Sequence, residues 1–318
     1  MSILVAGGAG FIGINLCKYL LEQNKDKKII CLDNLYTGKF KNIQFLKNNY
    51  EDRFFFIKED ICNKIQIEDN ITEIYNLACP ASPVAYQGQH ALDTIKTCII
   101  GTINLAELAR EYNAKILQAS TSEIYGEPQE HPQKEEYRGN VNTIGIRACY
   151  DEGKRCAETI MAEYNRIYGV DTKIVRIFNT YGLYMDKNDG RVITNIISQV
   201  LTNKDITVYG DGTQTRSFCY VDDLVQGLIS LMNTDNIHFP INLGNPKEFT
   251  INELVKLVQE KIPESTSKVT FYPLPQDDPS RRKPCINKAK KMLNWQPKIQ
   301  LSEGLDKTIK YLRGELWK

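Results

Sequence analysis

The chain has 318 residues, of which 42% are hydrophobic and 25% charged, with 40 Lys and Arg against 39 Asp and Glu. This composition excludes a disordered chain and leaves no basic surplus to attract nucleic acid or an anionic membrane. With no run of about 18 apolar residues, we expect no membrane anchor, no signal peptide and a cytoplasmic location. The length fits one large domain or two closely packed ones.

Cysteine and histidine usage predicts neither disulfides nor a metal site. The nine cysteines are scattered, with no CxxC pair and no Cys/His pair at metal-ligand spacing. We expect reduced thiols that pack as small hydrophobic side chains.

Short apolar, β-branched runs alternate with amphipathic stretches in the first half of the chain. Continuous apolar runs predict strands buried on both faces, and stretches such as residues 11–22 and 102–112 predict helices between them. This order predicts an α/β fold with a Rossmann-type, doubly wound parallel sheet. The predicted strands are residues 3–6, 28–32, 54–57, 74–77, 115–118 and 173–178.

The second half is less regular, and we place a soft domain boundary near residue 180. A helix is predicted over 191–201, a strand over 206–209, a loop over 272–284 and a helix over 301–317. Thr250 and Glu253 form a capping box that opens a helix through residue 262. Later segments are expected to return to the first sheet.

A glycine-rich loop follows the first strand and opens the first helix. Its spacing is GxxGxxG, and glycine lets the backbone turn tightly and approach a pyrophosphate held at the helix N-terminus. Gly13 also permits close packing of helix on sheet. The predicted cofactor contacts here are Gly7, Gly10, Phe11, Ile12 and Gly13.

Two acidic positions sharpen this prediction. Asp33, with Asn34 beside it, ends the second strand. A carboxylate there accepts hydrogen bonds from a ribose diol and repels a 2′-phosphate, which favours NAD over NADP. Asp60 and Ile61, after the third strand, are predicted to cradle the adenine, with a helix N-cap as the equal alternative for Asp60.

Tyr150 and Lys154 form a YxxxK motif at the start of a helix predicted to run to Tyr168, with Gly169 as its C-cap. The i, i+4 spacing puts both side chains on one face. A tyrosine has an ordinary pKa near ~10, and Lys154 plus a bound nicotinamide ring would supply the cations it needs to act as a base. Thr121 is placed to bond the same substrate hydroxyl. A helix-face tyrosine with a solvated lysine is the structural alternative.

With these motifs the chain resembles the extended short-chain dehydrogenase/reductase family. The resemblance implies an NAD-binding Rossmann domain over 1–180 and a nucleotide-sugar domain over 181–318, partly interleaved with the first. Within that family the chain is similar to the UDP-glucuronic acid decarboxylases at residues 77–83, 120–128, 139–142, 147–155, 176–182, 189–191, 208–216 and 276–284.

The resemblance implies NAD-dependent decarboxylation of UDP-glucuronic acid to UDP-xylose. Oxidation of C4 to a ketone makes the C6 carboxylate a β-keto acid, so that CO₂ can leave; C5 is then protonated and C4 reduced again. The residues implied to be catalytic are Thr121, Ser122, Glu123, Tyr150, Lys154 and Arg282.

The Ser122-Glu123 pair bears on the reaction type. Sugar 4,6-dehydratases carry an Asp at the position of Ser122, and a hydroxyl is no strong acid for expelling water. An ionised Glu123 beside a substrate carboxylate would be repulsive, so we expect it to be either protonated or paired with an arginine. A strand-end Glu that caps a helix is the alternative.

Arginines are expected to bind the anionic groups of a UDP-sugar acid. We assign Arg191 and Arg216 to the pyrophosphate region and Arg282 to the carboxylate or to Glu123, with Arg147 as a second carboxylate candidate. A solvated surface arginine is the alternative for each.

Other contacts follow from the resemblance. Leu77, Ala78 and Thr97 face the cofactor, and Thr97 with Lys96 begins the helix after the Pro-rich loop. The remaining predicted substrate contacts are Lys96, Asn179 at the diphosphate and Tyr209 near the uridine.

Departures from the family pattern at Arg138, Thr143, Ile146, Leu183 and Tyr184 bear on substrate positioning more than on reaction class.

The alternative functions are those of a UDP-apiose/xylose synthase, a nucleotide-sugar 4-epimerase or dehydratase, and a non-catalytic NAD-binding protein. The neutral charge argues against RNA binding. The resemblance implies a homodimer built on two helices per subunit, one of which carries Tyr150.

Overall fold

A computed structural model of the protein describes residues 1–274 and 281–316. These residues form fourteen strands, β1 (Ser2–Ala6), β2 (Lys28–Leu32), β3 (Phe54–Ile57), β4 (Ile71–Asn76), β5 (Lys115–Thr121), β6 (Thr172–Ile177), β7 (Thr180–Tyr181), β8 (Ile206–Tyr209), β9 (Thr215–Ser217), β10 (Cys219–Tyr220), β11 (Pro240–Leu243), β12 (Glu248–Thr250), β13 (Val269–Tyr272) and β14 (Arg281–Arg282).

The α-helices of the same residues are α1 (Phe11–Gln23), α2 (Phe40–Asn49), α3 (Pro83–Tyr86), α4 (Ala91–Lys96), α5 (Thr102–Tyr112), α6 (Ala148–Tyr168), α7 (Val192–Leu201), α8 (Val221–Met232), α9 (Ile251–Lys261), α10 (Asn287–Leu293) and α11 (Leu301–Leu316). Short 3₁₀ turns cover Gly88–His90 and Ser122–Tyr125, and a π-helical turn covers Thr97–Gly101.

A seven-stranded parallel sheet forms the centre of the protein, in the order β11-β6-β5-β4-β1-β2-β3. The predicted Rossmann-type fold is confirmed, and the six predicted strands end within three residues of the observed ones. All five residues of β1 are buried, as a strand covered on both faces requires. The chain proceeds in opposite directions from β1 to β2 and from β1 to β4, so the gap between β1 and β4 is the point where a ligand crevice opens.

The second half contributes one strand to this sheet and several to three small sheets. β11 pairs with β6, so the expected return to the first sheet is confirmed. The small sheets are β7 with β10, β8 with β13, and β9 between β12 and β14. Of the strands in the small sheets, only β8 was predicted, because runs of two to four residues carry little periodicity.

Two predicted boundaries need correction in this half. The predicted loop over 272–284 contains β14, and its residues 275–280, which carry most of the 276–284 segment, lie outside the described residues. The helix opened by the Thr250 capping box ends at Lys261, and α11 is described to Leu316, with Trp317 beyond it.

Lys96 and Thr97 do not begin a helix, contrary to the prediction. α4, the π-helical turn and α5 form one continuous helical run, and both residues lie in its middle. The run starts after His90, which provides no side-chain cap, so the sequence carries no start signal there.

Asp223 in α8 ties the C-terminal segment to the core. This side chain is 2% exposed, and its Oδ2 accepts the backbone N–H groups of Lys298 at 2.9 Å and Ile299 at 2.8 Å. The indole N–H of Trp295 donates to the Asp223 carbonyl at 2.8 Å. Among the described residues, no helix is long and apolar enough to cross a membrane.

We predict that Asp223→Ala lowers the free energy of unfolding by about 2–3 kcal/mol, because two buried N–H groups lose a charged acceptor. Urea unfolding followed by circular dichroism measures the change. The adjacent Asp222 is exposed, so Asp222→Ala is the matched control and should cost at most about 1 kcal/mol, from the helix dipole. Equal losses in the two variants would contradict this assignment.

Candidate active site

A cleft of about 980 Å³ opens at the carboxyl ends of the parallel strands. Every residue predicted above to be catalytic, or to contact cofactor or substrate, lines this cleft. The glycine loop after β1 and the Tyr150 helix form one part of its wall, and β9, β14 and α7 from the second half contribute the other. The fold therefore brings the predicted set together, while the roles of its members stay predictions.

The glycine loop has the geometry of an anion cradle. Gly7 has φ +76°, and a Cβ there would lie 2.7 Å from the backbone carbon of Leu77. A Cβ on Gly13 would lie 2.1 Å from the Gly7 carbonyl oxygen, so only glycine lets α1 press against the loop. Gly10 caps α1 without a side-chain hydrogen bond, and the N–H groups of the first helical turn lack intrahelical partners.

Asp33 is held rigidly at the edge of the cleft. Its Oδ2 accepts the Ala9 N–H at 3.0 Å and its Oδ1 accepts the Leu35 N–H at 2.8 Å. Burial raises the pKa of Asp33, and these N–H groups oppose the rise. Because a carboxylate oxygen has two lone pairs, each oxygen can still accept one further hydrogen bond.

Asp60 stands next to Asn34 across the same edge. The Asn34 side-chain amide donates to Asp60 Oδ2 at 2.8 Å, and the Cys62 N–H donates to Oδ1 at 2.8 Å. The residues after Asp60 form a turn, so the helix N-cap alternative is wrong.

Tyr150 is fixed between a tyrosine and a lysine. The ring of Tyr86 stacks on it with centroids 4.7 Å apart and planes 10° apart. Lys154, only 4% exposed, donates to the Ala119 carbonyl of β5 at 2.9 Å and lies 5.8 Å from the Tyr150 ring centroid. The solvated-lysine alternative is therefore wrong. Sequence reasoning missed Tyr86, which belongs to no motif.

Burial raises the pKa of Tyr150 well above its ordinary value, and the nearby Cys79 thiol raises it further. The Thr121 hydroxyl opposes this by hydrogen bonding. Lys154 acts on Cys79, whose pKa is lowered first by the thiol of Cys98, 3.4 Å away, and then by the lysine charge. The groups of the chain alone thus leave Tyr150 a neutral phenol at neutral pH.

Glu123 lies between two arginines, which decides between the two states predicted for it. Arg147 Nη2 is 2.5 Å and Arg282 Nη2 is 3.5 Å from the same Oε2. Burial raises the pKa of Glu123, but the charges of Arg282, Arg147 and Arg216 outweigh it and hold the pKa below its usual value. Glu123 is therefore ionised and paired. Thr121, not Glu123, caps the 3₁₀ turn, by accepting the Glu123 N–H at 3.2 Å.

Arg282 owes its position to the second half of the chain. It lies on β14, in register with Arg216 on β9, and is 2% exposed. One of its Nη groups also donates to the Ser122 carbonyl. The surface alternative is wrong for this residue.

Arg191 joins the second half to the glycine loop. It is the N-cap of α7, pairs with Asp189 and lies with its guanidinium carbon 5.5 Å from the Phe11 ring centroid. Other predicted contacts are held more loosely: Lys96 Nζ is 3.4 Å from Asp93 Oδ1, and Tyr209 is 44% exposed.

Comparison with known proteins places this architecture in a family. The family model described as GDP-mannose 4,6 dehydratase matches residues 4–308. The chain belongs to this family of extended short-chain dehydrogenases/reductases.

Named family relatives cover the chain almost completely. UDP-glucuronic acid decarboxylase 1 of Arabidopsis thaliana is 49% identical over 316 residues, 99% of this chain and 71% of the relative. UDP-glucuronic acid decarboxylase 5 of the same plant is 50% identical over 305 residues, 96% of this chain and 87% of the relative. The crystal structure of UDP-glucuronic acid 4-epimerase from Bacillus cereus, in complex with UDP-glucuronic acid and NAD, is 28% identical with a TM-score of 0.88 and covers 99% of this chain and 100% of that one.

We predict that Arg282→Met lowers the free energy of unfolding by about 3 kcal/mol, because it leaves Glu123 buried with one partner removed. The pKa of Glu123 should rise in the same variant. Urea unfolding and a carbon-13 NMR titration of labelled Glu measure the two effects. Arg281, the exposed neighbour on β14, provides the control Arg281→Met, and a loss as large in this control would contradict the pairing.

Proposed function

We propose that this protein is a UDP-glucuronic acid decarboxylase, a carboxy-lyase that binds NAD and forms UDP-xylose and CO₂ through a UDP-4-keto sugar. The observation that carries the proposal is the buried Arg147–Glu123–Arg282 cluster in the cleft that also holds the glycine loop and Tyr150. The decarboxylase names of relatives at 49–50% identity support it.

The glycine loop and Asp33 fit NAD. The cradle that a Cβ on Gly13 would fill suits a pyrophosphate, and the two fixed oxygens of Asp33 suit the ribose diol of NAD and oppose the 2′-phosphate of NADP. Gly7, Gly10, Asp33 and Asp60 would hold the cofactor. NAD, when bound, supplies a hydride acceptor for C4 that later returns the hydride.

Tyr150 takes the proton of the C4 hydroxyl and gives it back at the end of the cycle. Stacking by Tyr86 and the bond from Lys154 to β5 keep the phenol and the ammonium group fixed. The Thr121 hydroxyl, which acts on Tyr150 by hydrogen bonding, orients the same oxygen.

The arginine cluster provides a site for the sugar carboxylate. Arg147 and Arg282 bring two positive charges against the one negative charge of Glu123, so the cluster accepts one further anion. Once C4 is a ketone, the C5–C6 bond breaks and its electron pair enters the enolate. Ser122, in place of a carboxylic acid, offers no strong acid for expelling water, which favours loss of CO₂.

The nucleotide half of the substrate would lie against the second part of the chain. Arg191 and Arg216 carry positive charge into the cleft there, and Asn179 and Tyr209 line the same wall. We also propose the homodimer: the helical run of α4 and α5 exposes Leu92 at 70%, Ile100 at 43% and Ile103 at 38%.

We predict that the purified protein converts UDP-glucuronic acid to equal amounts of CO₂ and UDP-pentose with no added reductant. Labelled CO₂ and chromatography of the nucleotide sugars measure both products. A 4-epimerase acting on the same sugar would release no CO₂, so a UDP-uronic acid product would overturn the proposal.

Tyr150→Phe should lower kcat by about 100-fold or more, since it removes the only proton acceptor assigned to the C4 hydroxyl. NAD binding, followed by calorimetry, should change little. Tyr168→Phe, at the exposed end of the same helix, is the control and should keep full activity. Full activity in Tyr150→Phe would remove this residue from the mechanism.

We predict that the protein binds NAD more tightly than NADP and that Asp33→Asn reduces this preference by about 10-fold or more, because the charge that repels the 2′-phosphate is lost. Calorimetric titration with each dinucleotide measures the ratio. Asp26→Asn, at an exposed position before β2, should leave the ratio unchanged. An unchanged ratio in Asp33→Asn would contradict the role of this carboxylate.

A further inference from the structure

Decarboxylation consumes a proton that the Tyr150 step does not supply. The C5–C6 bond breaks, C6 leaves as CO₂, and C5 forms a new bond to hydrogen. Tyr150 gives the proton that it took from O4 back to that oxygen, so it supplies no net proton over one cycle. One proton therefore has to reach the reacting carbon from solvent in every turnover, in a site that is largely buried.

A second cavity, of about 330 Å³, lies behind the arginine cluster. Glu123, Arg147 and Arg282 line both this cavity and the main cleft, so they form the wall between the two. The far side is formed by the segment 126–145, with Glu127 and Asn142 among its lining residues. A polar space of this size is large enough to hold water.

Asp151 lines this second cavity and does not line the main cleft. The residue is 7% exposed, and its Oδ1 has no hydrogen-bond partner among the described residues. A buried acceptor without a partner costs free energy unless it is protonated or meets water. Nothing in the proposed chemistry of the cleft uses this carboxyl group directly.

The charges around Asp151 come from several elements. Its pKa is raised to about 7, mainly by burial and then by the charge of Glu123, while Arg147 and Arg282 oppose the rise. The titratable and charged groups that face it are Glu123, Arg147, Arg282, Glu152, Tyr86 and Cys149, with Glu127 across the cavity. Asp151 thus holds a proton up to neutral pH beside an ionised Glu123.

We propose that the second cavity is the entry route for the proton consumed in decarboxylation, and that Asp151 holds this proton and passes it to Glu123. This inference rests on the proposed function. Asp151 releases its proton through water in the cavity to the Glu123 carboxylate, which protonates C5 as the enolate collapses. Solvent then reprotonates Asp151 through the same cavity. Asp151 does not contact the sugar. It acts through Glu123 and is therefore a positioning residue, which holds the proton where Glu123 can receive it.

The test compares pH profiles of CO₂ release for the full-length protein, Asp151→Asn and Glu152→Gln. Asn has the shape of a neutral Asp but no acidic proton. An acid that works in its protonated form is active below its pKa, so wild-type kcat should fall as the pH rises through about 7. In Asp151→Asn, kcat should drop by about 10-fold or more, KM should stay within about twofold, and this fall with pH should vanish. Glu152, half-exposed and next in sequence, supplies no proton, so Glu152→Gln should keep the wild-type kcat at low pH and keep the fall with pH, moved slightly to lower pH because the charge of Glu152 raises the pKa of Asp151.

A conservative variant separates proton supply from folding. Asp151→Glu keeps an acid in the cavity and should retain a pH-dependent limb and most of kcat. Thermal unfolding in the presence of NAD shows whether Asp151→Asn is folded. If it is not, the pH profiles of Asp151→Glu and of the wild type test the inference instead. A wild-type kcat that shows no fall around pH 7, or a variant that loses kcat equally at all pH values, would overturn the inference. A wild type that releases no CO₂ would instead overturn the proposed function, which is a different result.

Discussion

The ion pairing of Glu123 with Arg147 and Arg282 is the constraint on which the rest of the site depends. The side chain of Arg282 is 2% exposed, and those of Arg147 and Glu123 are 13% and 18% exposed. Charges so far removed from water are stable only where each meets a partner with good geometry. Arg147 precedes the helix of Tyr150, Glu123 follows β5, and Arg282 lies on β14 from the far end of the chain. The pairing therefore holds the two halves of the protein in one arrangement around the cleft.

This arrangement gives the two sides of the cleft different electrostatic characters. The side formed by the glycine loop presents backbone N–H groups and Asp33, which are neutral or negative. The opposite side contains Arg147, Arg191, Arg216 and Arg282. The proposed substrate would place its negative charges against the second side, while the burial of Tyr150 and Lys154 keeps the proposed proton acceptor away from bulk water.

Burial explains why the pKa values of several side chains differ from the ordinary values of their residue types. Desolvation raises the pKa of Tyr150, Asp33 and Asp151, and it fails to do so for Glu123 only because three guanidinium groups act on that carboxylate. The acid in the wall and the acid behind it therefore differ, with Glu123 ionised and Asp151 protonated up to neutral pH. Such a separation of pKa values assigns the proton-holding role to Asp151 and leaves Glu123 as the carboxylate that receives the proton.

The sequence by itself determined the parallel sheet, the glycine loop and the Tyr150–Lys154 spacing, because each depends on neighbouring residues whose periodicity or backbone freedom is local. It also indicated that Glu123 requires either a proton or an arginine. Only the tertiary structure decided that two arginines pair with it, one of them 159 residues away, that Tyr86 stacks on Tyr150, and that Asp151 faces a second cavity. The physical reason is that β9 and β14 are two or three residues long, too short to show a pattern, and their pairing is set by packing between distant segments.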